Sequence, residues 1–339
     1  MSPTALRGAV VVPVLMAVLV VVVVAGVALA GGSITWVDTV RSIGTHLGLP
    51  VTPLPRLADS VVWQLRLPRV LLAASAGAGL AVCGCVLQAV TRNVLAEPYL
   101  LGISSGASTG AVLVLVLGLG AGSVTLAGGA LVGGLVSFAL VFALMGRDTA
   151  STSRVVLTGV VVGQLFAAVT SLVVTAWGDA DATRGITYWL LGSLAAARWS
   201  SVVVCAVVVA VATAVFVAVA PALDAFVFGH DAAVALGIDV RLLRVVVLVG
   251  AAATTAAVVA AVGAIGFVGL VVPHTARMLV GPGHRLLLPV SALAGGVFLV
   301  VADLAGRLAF APHQIPVGVV TALIGVPTFL VVLRRGQRA

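Results

Sequence analysis

The sequence has 339 residues, of which 62% are apolar and 8% are charged, whereas an average soluble domain carries about 25% charged residues. This composition excludes a water-soluble globule and predicts a protein that is solvated mainly by lipid. The net charge of +8 comes from arginines dispersed singly among apolar runs, which argues against nucleic-acid binding, and the absence of lysine excludes a Walker A phosphate loop.

Uncharged stretches predict the membrane spans in chain order, because an ionised group at the bilayer centre is costly and a spanning helix needs about 20 apolar residues. The stretches are 8–37, 70–91, 98–146, 155–178, 199–223, 245–276, 286–302 and 308–333. The third is long enough for two helices that turn back within the glycine-rich residues 118–122. The sixth is broken by Gly263, Gly266 and Pro273 into a full helix and a shorter one. The sequence therefore predicts an all-α integral membrane protein with about ten transmembrane helices.

The first stretch imitates a secretory signal peptide, since Arg7, an apolar run and Ala28-Leu29-Ala30 stand in the order that such peptides use. Its apolar run is more than about 20 residues long, whereas the core of a signal peptide has about 7–15. We therefore expect residues 9–31 to form a retained first span.

Metal centres and catalytic sites have no typical pattern in this sequence. Cys83, Cys85 and Cys205 lie inside apolar runs, where we expect packing residues and not zinc ligands or disulfide partners. The five histidines lack ligand spacing, and no nucleophile and base are clustered. We therefore predict no metal site, no catalytic residue and no cofactor in this chain, which argues against an intramembrane enzyme.

The distribution of arginine predicts the orientation in the membrane. With an even number of spans both termini lie on one side, and Arg334, Arg335 and Arg338 place that side in the cytoplasm by the positive-inside rule. The connection 32–69 is then extracytoplasmic, although it holds four arginines.

Two of those arginines, Arg66 and Arg69, flank Pro68 at the mouth of the second span. They are placed to meet carboxylates on a partner, or to anchor the helix on lipid phosphates. Arg307, at the outer end of the ninth span, is a third candidate for such docking. It also stands four residues after Asp303, a spacing that predicts an ion pair within one helix.

The segment 222–244 interrupts the apolar pattern with several charged residues. It is too polar to span the membrane and too apolar to be a loose linker. We expect short amphipathic helices at the cytoplasmic surface, either as a docking pad for a soluble partner or as an interfacial anchor.

Four blocks of the sequence resemble, in the same order, the FecCD-type permeases of ATP-binding cassette (ABC) importers for iron-siderophore, haem and vitamin B12. They are QLRLPRVLLAASAGAGLAVCGCVLQAVTRNVLAEPYLLGISSGASTGAV (Gln64–Val112), STSRVVLTG (Ser151–Gly159), GAIGFVGLVVPHTARML (Gly263–Leu279) and IPVGVVTALIGVPTFLVVL (Ile315–Leu333). The resemblance covers the chain from about residue 60 to its end.

The resemblance implies a type II ABC importer permease, with residues 1–339 as a single transmembrane domain of ten helices in a bacterial cytoplasmic membrane. It also implies a second permease subunit, identical or homologous, and an extracytoplasmic substrate-binding protein. Two ATPase subunits would bind ATP and Mg²⁺ on the cytoplasmic side, in agreement with the missing Walker A lysine.

The resemblance also assigns roles to particular residues. The arginines that would bind the substrate-binding protein are Arg66, Arg69 and Arg307. The residues that would couple to the ATPase are Ala235, Leu236 and Gly237. The cytoplasmic gate would comprise Asn93, Leu95, Thr152 and Ser153, and Gln164 is a candidate for the pathway wall. Val94 stands where the family usually has proline, so we expect a less rigid gate loop.

These observations predict the permease subunit of an importer for a metal chelate, with a ferric siderophore as the first candidate and haem or vitamin B12 as alternatives. The rival class is a secondary transporter driven by an ion gradient, which usually needs an ionisable residue in the middle of the membrane. Asp303 is the one candidate that the predicted spans offer, and Arg307 is placed to neutralise it.

Overall fold

The protein is described by a computed structural model that covers residues 3–29, 34–120, 124–145, 152–227, 230–309 and 313–336. Within these ranges the regular structure is entirely helical, which confirms the predicted all-α class. The first half contains α1 (Pro3–Ala28), α2 (Trp36–His46), α3 (Arg56–Ser60), a π-helix (Val61–Arg66), α4 (Leu67–Thr91), a 3₁₀-helix (Pro98–Leu101), α5 (Ile103–Leu117), α6 (Leu126–Met145) and α7 (Thr152–Trp177). The second half contains α8 (Ala180–Leu190), α9 (Trp199–Ala218), α10 (Ala220–Val227), α11 (His230–Ala235), α12 (Val240–Val262), α13 (Val268–Val280), α14 (His284–Leu308) and α15 (Val317–Gly336).

Seven helices of the described chain are long and apolar enough to cross a membrane. They are α1, α4 with the turns that precede it, α6, α7, α9, α12 and α14. Three shorter apolar helices, α5, α13 and α15, occupy the remaining predicted spans. The number of ten spanning helices stays a prediction, because α5 and α13, with 15 and 13 residues, fall below the length that a straight crossing needs.

The two predicted helix breaks are both present. Gly118, with φ of 62°, ends α5, and α6 begins after residues 121–123, which lie outside the described ranges. Gly263, with φ of 74°, ends α12, and α13 begins after Phe267, a non-glycine residue in the left-handed region. The full helix and the shorter helix predicted for 245–276 are therefore confirmed.

Helix α4 forms the centre of the bundle and is buried along almost its whole length. It packs against α9, α12, α13 and α14. The closest approaches pair glycines: a Cβ on Gly77 would overlap the carbonyl of Gly295 in α14, and one on Gly84 would overlap the backbone of Gly269 in α13. Small residues at such crossings let helix backbones touch, which is how helices associate without a hydrophobic driving force in lipid.

Short helices cover the predicted connections. The described part of the connection 32–69, the predicted outer connection, contains α2, α3 and the π-helix, and α8 follows α7 with Asp179 as its N-cap. The predicted amphipathic segment 222–244 contains most of α10, all of α11 and the start of α12. Among the candidate functional residues, the π-helix carries Arg66 and α11 carries Ala235.

Candidate functional site

The three arginines predicted for docking lie in one cluster at the end of the bundle where α1 and α14 finish and α4 begins. Arg69 donates from Nε and Nη2 to Oδ1 of Asp303 at 3.1 and 2.8 Å, and from Nη1 to Oε1 of Gln314 at 2.7 Å. Nε of Arg307 lies 3.0 Å from Oδ2 of the same aspartate. That N–H is not aligned for a hydrogen bond, so the contact is an ion pair only. The predicted pairing of Arg307 with Asp303 is confirmed.

The other arginine contacts go to the carbonyl end of α1. Arg66 Nη1 donates to the carbonyl of Val27 at 2.9 Å, and Arg307 Nη2 donates to that of Gly26 at 3.0 Å. The last carbonyls of a helix lack intrahelical partners and carry the negative end of its dipole, so cations there are stabilising. The cluster therefore holds three cations, one carboxylate and one helix C-terminus.

Exposure separates the members of this arginine cluster. The side chains of Arg307 and Asp303 are 6% and 2% exposed, and that of Arg69 is 14% exposed. Arg66 is half-buried. Arg66 is held at the end of α1, whereas Arg69 and Arg307 are paired with Asp303. Docking on a partner stays a prediction for all three.

A stack of aromatic rings supports the helix turn that carries Arg66. The ring of His46 in α2 stacks on Trp63 of the π-helix at 3.8 Å and 7°. Asp59 accepts a hydrogen bond from Ser42 at 2.6 Å, and its other oxygen lies 3.7 Å from Nε2 of His46. Trp199 donates to the carbonyl of Trp63 at 2.9 Å. The outer connection is consequently an ordered platform beside the arginine cluster.

The coupling residues predicted from the resemblance lie at an exposed turn. Ala235 ends α11, Leu236 is 70% exposed, and Gly237 turns the chain with φ of 77°. Asp239 then caps α12 by accepting the N–H of Leu242 at 2.9 Å. An exposed leucine on a tight turn between two helices can insert into a groove of another protein.

Two contacts fix this coupling turn to the bundle. The guanidinium of Arg244 in α12 lies over the ring of Phe226 in α10 at 5.0 Å. Asp224, also in α10, accepts hydrogen bonds from both the backbone N–H and Nδ1 of His284 at the start of α14. Force applied to the turn would therefore reach α12 and α14 directly.

The gate residues are only partly brought together. Asn93 Oδ1 accepts the N–H of Leu95 at 2.9 Å, and its carbonyl accepts the N–H of Ala96 at 3.0 Å. These hydrogen bonds order the loop at Val94, where the resemblance implies proline, and its lower rigidity stays a prediction. Thr152 and Ser153 begin α7, but their side chains lie outside the described part of the chain. Gln164 is exposed on α7, in keeping with a wall position that stays a prediction.

Two site residues that the sequence analysis missed follow the gate loop. Oε1 of Glu97 accepts the N–H of Phe267 at 3.1 Å. The hydroxyl of Tyr99 donates to the carbonyl of Ile265 at 2.8 Å and accepts the N–H of the same residue at 2.7 Å. These two side chains thereby satisfy the irregular backbone between α12 and α13. The signal available in the sequence was that Glu97 is the only glutamate of the chain.

Burial shifts the pKa of the Glu97 carboxyl. Desolvation raises the pKa of the Glu97 carboxyl above its ordinary range, although the hydrogen bond from Phe267 opposes that shift. The phenol of Tyr99 is neutral and both donates and accepts in its two hydrogen bonds with Ile265. The Glu97 carboxyl is therefore easier to protonate than an exposed one.

Comparisons with known proteins place these features in context. The model of the FecCD transport family matches residues 15–335. The cobalamin import system permease protein BtuC of Halobacterium salinarum is 42% identical over 284 residues, which cover 83% of this chain and 75% of that protein. The iron-uptake system permease protein FeuC of Bacillus subtilis is 33% identical over 292 residues, which cover 83% and 87%.

A solved structure described as an inward-facing conformation of a metal-chelate type ABC transporter has the same fold. Its TM-score is 0.83 at 30% identity, and the match covers 96% of this chain and 98% of that one. The similarity thus extends over nearly the whole protein.

Proposed function

The chain belongs to the FecCD transport family, and from that premise we propose that it is the membrane-spanning permease subunit of an ABC importer for a metal chelate. The observation that carries the proposal is the match of the family model over residues 15–335. An ATPase on a separate chain is consistent with two further observations. The chain has no lysine for a nucleotide-binding loop, and it presents an exposed leucine at the turn that would contact such an ATPase.

The assembly would place this chain beside a second permease, identical or homologous. Helix α7 supports that arrangement, because it exposes a row of apolar side chains. Val161 is 66% exposed, Leu172 is 62% exposed and Leu165 is 54% exposed. Such an apolar face has to be covered by lipid or by another subunit. Two ATPase subunits would bind the cytoplasmic side, and both termini of this chain would lie there in the bacterial cytoplasmic membrane.

Substrate delivery would take place at the arginine cluster. A binding protein with acidic residues would meet the net positive charge of Arg66, Arg69 and Arg307, of which Asp303 balances only part. The coupling turn at Ala235, Leu236 and Gly237 would seat in a groove of the ATPase. Closure of the ATPase pair would then move α10 and α12 and switch the accessibility of the pathway.

We propose first the chemical class of the substrate and then the candidates within that class. The class is a metal chelate, in keeping with the solved transporter of that type. Within it, the sequence prediction is a ferric siderophore, and FeuC of Bacillus subtilis is named for iron uptake. Cobalamin is the second candidate, because the relative that is 42% identical is named for cobalamin import.

A gradient-driven transporter is disfavoured by the surroundings of Asp303. A proton relay in the membrane needs a carboxylate that can lose its partner during the cycle. Asp303 is held by Arg69 and Arg307 at 2.8 and 3.0 Å and is 2% exposed. Protonating it would leave two buried arginines without their carboxylate, which is costly.

The experiment that tests the function begins with affinity purification of the tagged chain from membranes, followed by identification of the proteins that remain bound. We expect an ABC ATPase and a permease copy or homologue. Proteoliposomes of this complex with its binding protein should take up radiolabelled cobalamin or an iron-loaded siderophore only when ATP is enclosed with the ATPase. Uptake driven by an ion gradient without ATP would overturn the proposal.

A further inference from the structure

A pocket of about 300 Å³ lies where the end of α4 meets the α13–α14 connection. Its polar lining includes Arg92 and Asn93 after α4, Arg277 on α13 and His284 at the start of α14. Gln88 closes its inner side, and Ala89, Val94 and Pro282 supply apolar wall. The pocket is separate from the outer arginine cluster and holds none of the coupling residues.

The charge of this pocket is uncompensated. Among the described residues, neither Arg92 nor Arg277 forms an ion pair with a carboxylate. Arg277 has only a long hydrogen bond of 3.4 Å to Oε1 of Gln88. Two guanidinium groups that line one small cavity repel each other unless an anion lies between them.

Asp224, the carboxylate that contacts a residue of the lining, is already engaged. Both of its hydrogen bonds run from His284 to Oδ1, from the backbone N–H at 2.9 Å and from Nδ1 at 2.6 Å. Since Nδ1 donates to Asp224, Nε2 can donate to an anion when the ring carries its second proton, and it can accept from the hydroxyl of a protonated oxyanion when the ring does not. Nε2 is buried and has no hydrogen-bond partner, and the His284 side chain is 3% exposed. A buried polar atom without a partner costs about 1–3 kcal/mol.

The backbone at Arg92 is also held in a costly conformation. Arg92 has φ of 48° and ψ of 36°, in the left-handed region, and ends α4. A residue with a side chain is uncommon there, because its Cβ approaches the following carbonyl. Arg92 lines the pocket in this conformation, at a position of a helix end where glycine is the ordinary residue.

We propose that this pocket binds a phosphate-class oxyanion, held by Arg92, Arg277 and His284. Paired guanidinium groups with a histidine match the geometry and charge of phosphate oxygens. Positively charged pockets at the cytoplasmic ends of membrane helices bind the head groups of anionic lipids. The ligand is therefore a phosphate group that comes either from an anionic lipid or from free phosphate in the cytoplasm.

A bound anion would join two parts that move in the proposed transport cycle. Arg92 and Asn93 are the first residues of the gate loop. His284 is hydrogen-bonded to Asp224 of α10, the helix that precedes the coupling turn. The anion would hold the gate loop against the α13–α14 connection. This consequence rests on the proposed function, whereas the binding itself does not.

Binding is measured on the intact purified permease, without ATPase or binding protein, so its failure is independent of the transport proposal. After delipidation in detergent, native mass spectrometry would count retained phosphatidylglycerol against phosphatidylcholine, and ³¹P NMR line broadening would report binding of inorganic phosphate. The double variant Arg92→Gln/Arg277→Gln should lose at least fivefold in affinity for whichever source binds. Arg285→Gln, which removes an exposed charge next to His284 but outside the pocket, should bind like the wild type.

The variant His284→Asn tests the ring nitrogen without undoing the local fold, because its side-chain amide can still donate to Asp224 while Nε2 is removed. We expect weaker binding at an unchanged melting temperature. Retention of phosphatidylglycerol alone assigns the site to lipid, and broadening by phosphate alone assigns it to the free anion. If neither ligand binds the wild type, or if all variants bind equally, the proposal is wrong, and a carboxylate of the ATPase becomes the partner to test.

Discussion

Arg69 and Asp303 are 234 residues apart in the chain and form a bidentate ion pair between α4 and α14, with one Nη2–Oδ1 distance of 2.8 Å. Arg307 approaches the second oxygen of the same carboxylate. The predicted docking arginines are thus also structural, and a substitution at Arg69 or Arg307 would change stability together with any partner contact.

Because of this ion pair, we expect Asp303→Asn to lower the free energy of unfolding strongly. Removing the charge leaves Arg69 and Arg307 without their buried carboxylate, and breaking one partner of a buried pair typically costs about 3–5 kcal/mol. The melting temperature of the purified permease in detergent should fall clearly. Asp181→Asn is the matched control, because Asp181 and Arg184 pair at the surface with 92% and 71% exposure, where such pairs contribute about 0–1 kcal/mol. Equal melting temperatures for the two variants would contradict this prediction.

Arg66 offers the cleanest test of docking at the outer end. Arg66→Glu reverses one charge of the cluster while leaving Arg69 and Arg307 paired with Asp303. We expect binding-protein-dependent uptake near 0.15 M salt to fall at least tenfold, and the defect to be larger at low ionic strength, where surface charges are screened less. Arg56→Glu, an equally drastic change at an exposed position of the same connection, should retain uptake. Unchanged uptake by Arg66→Glu, with normal amounts in the membrane, would remove Arg66 from the docking surface.

Glu97 predicts a dependence of stability on pH. Its pKa is raised in the folded protein, so the folded state binds the proton more tightly than the unfolded state does. Stability is then greatest below the ordinary glutamate pKa and declines as the pH rises through the raised value. Glu97→Gln keeps an oxygen that can accept from Phe267 and cannot ionise. Melting curves between pH 4 and 8, in steps of about half a unit, should show a flatter profile for this variant.

The control for that measurement is Glu97→Leu, which removes the acceptor as well as the charge. Leaving the N–H of Phe267 unsatisfied should cost about 1–3 kcal/mol at every pH. If Glu97→Gln is destabilised as much as Glu97→Leu, the carboxylate charge itself holds the break between α12 and α13, and the predicted sign is wrong.

We expect the ratio of substrate uptake to ATP hydrolysis to depend on Leu236. Leu236→Asp places a charge on an exposed tip that would enter an apolar groove, so ATP hydrolysis should continue while substrate uptake falls. Leu236→Met keeps the size and polarity and should leave the ratio of uptake to hydrolysis close to that of the wild type. The ratio is measured in proteoliposomes that contain the complete importer. A normal ratio for Leu236→Asp would place the coupling contact elsewhere.

The sequence predicted what depends on local pattern. The spans follow from hydropathy, the breaks at Gly118 and Gly263 from glycine, and the pairing of Arg307 with Asp303 from the spacing of one helical turn. The short helix α2 was missed although Thr35 and Asp38 form a capping box at its start. The capping box is readable in the sequence, but it lies in a segment that was assigned as a connection because it is polar.

What the sequence could not predict are the contacts between distant segments. Arg69 meets Asp303, and Glu97 and Tyr99 meet the backbone of residues 265–267, only because the helices cross as they do. No periodicity or spacing records such a crossing when a single sequence is read. The pathway position of Gln164 has the same difficulty, because it depends on how α7 faces a second subunit.

The glycine crossings have a consequence for motion. Where Gly77 meets Gly295 and Gly84 meets Gly269, backbone touches backbone, and the same is true of Gly106 and Gly133 between α5 and α6. Helices in such contact cannot slide past each other without collision, so each group should travel as one rigid body. The first group holds α4, α13 and α14, and the second holds α5 and α6. Glu97 and Tyr99 precede the second group and bind the backbone that enters α13, so any movement of one group relative to the other has to break or carry along these hydrogen bonds.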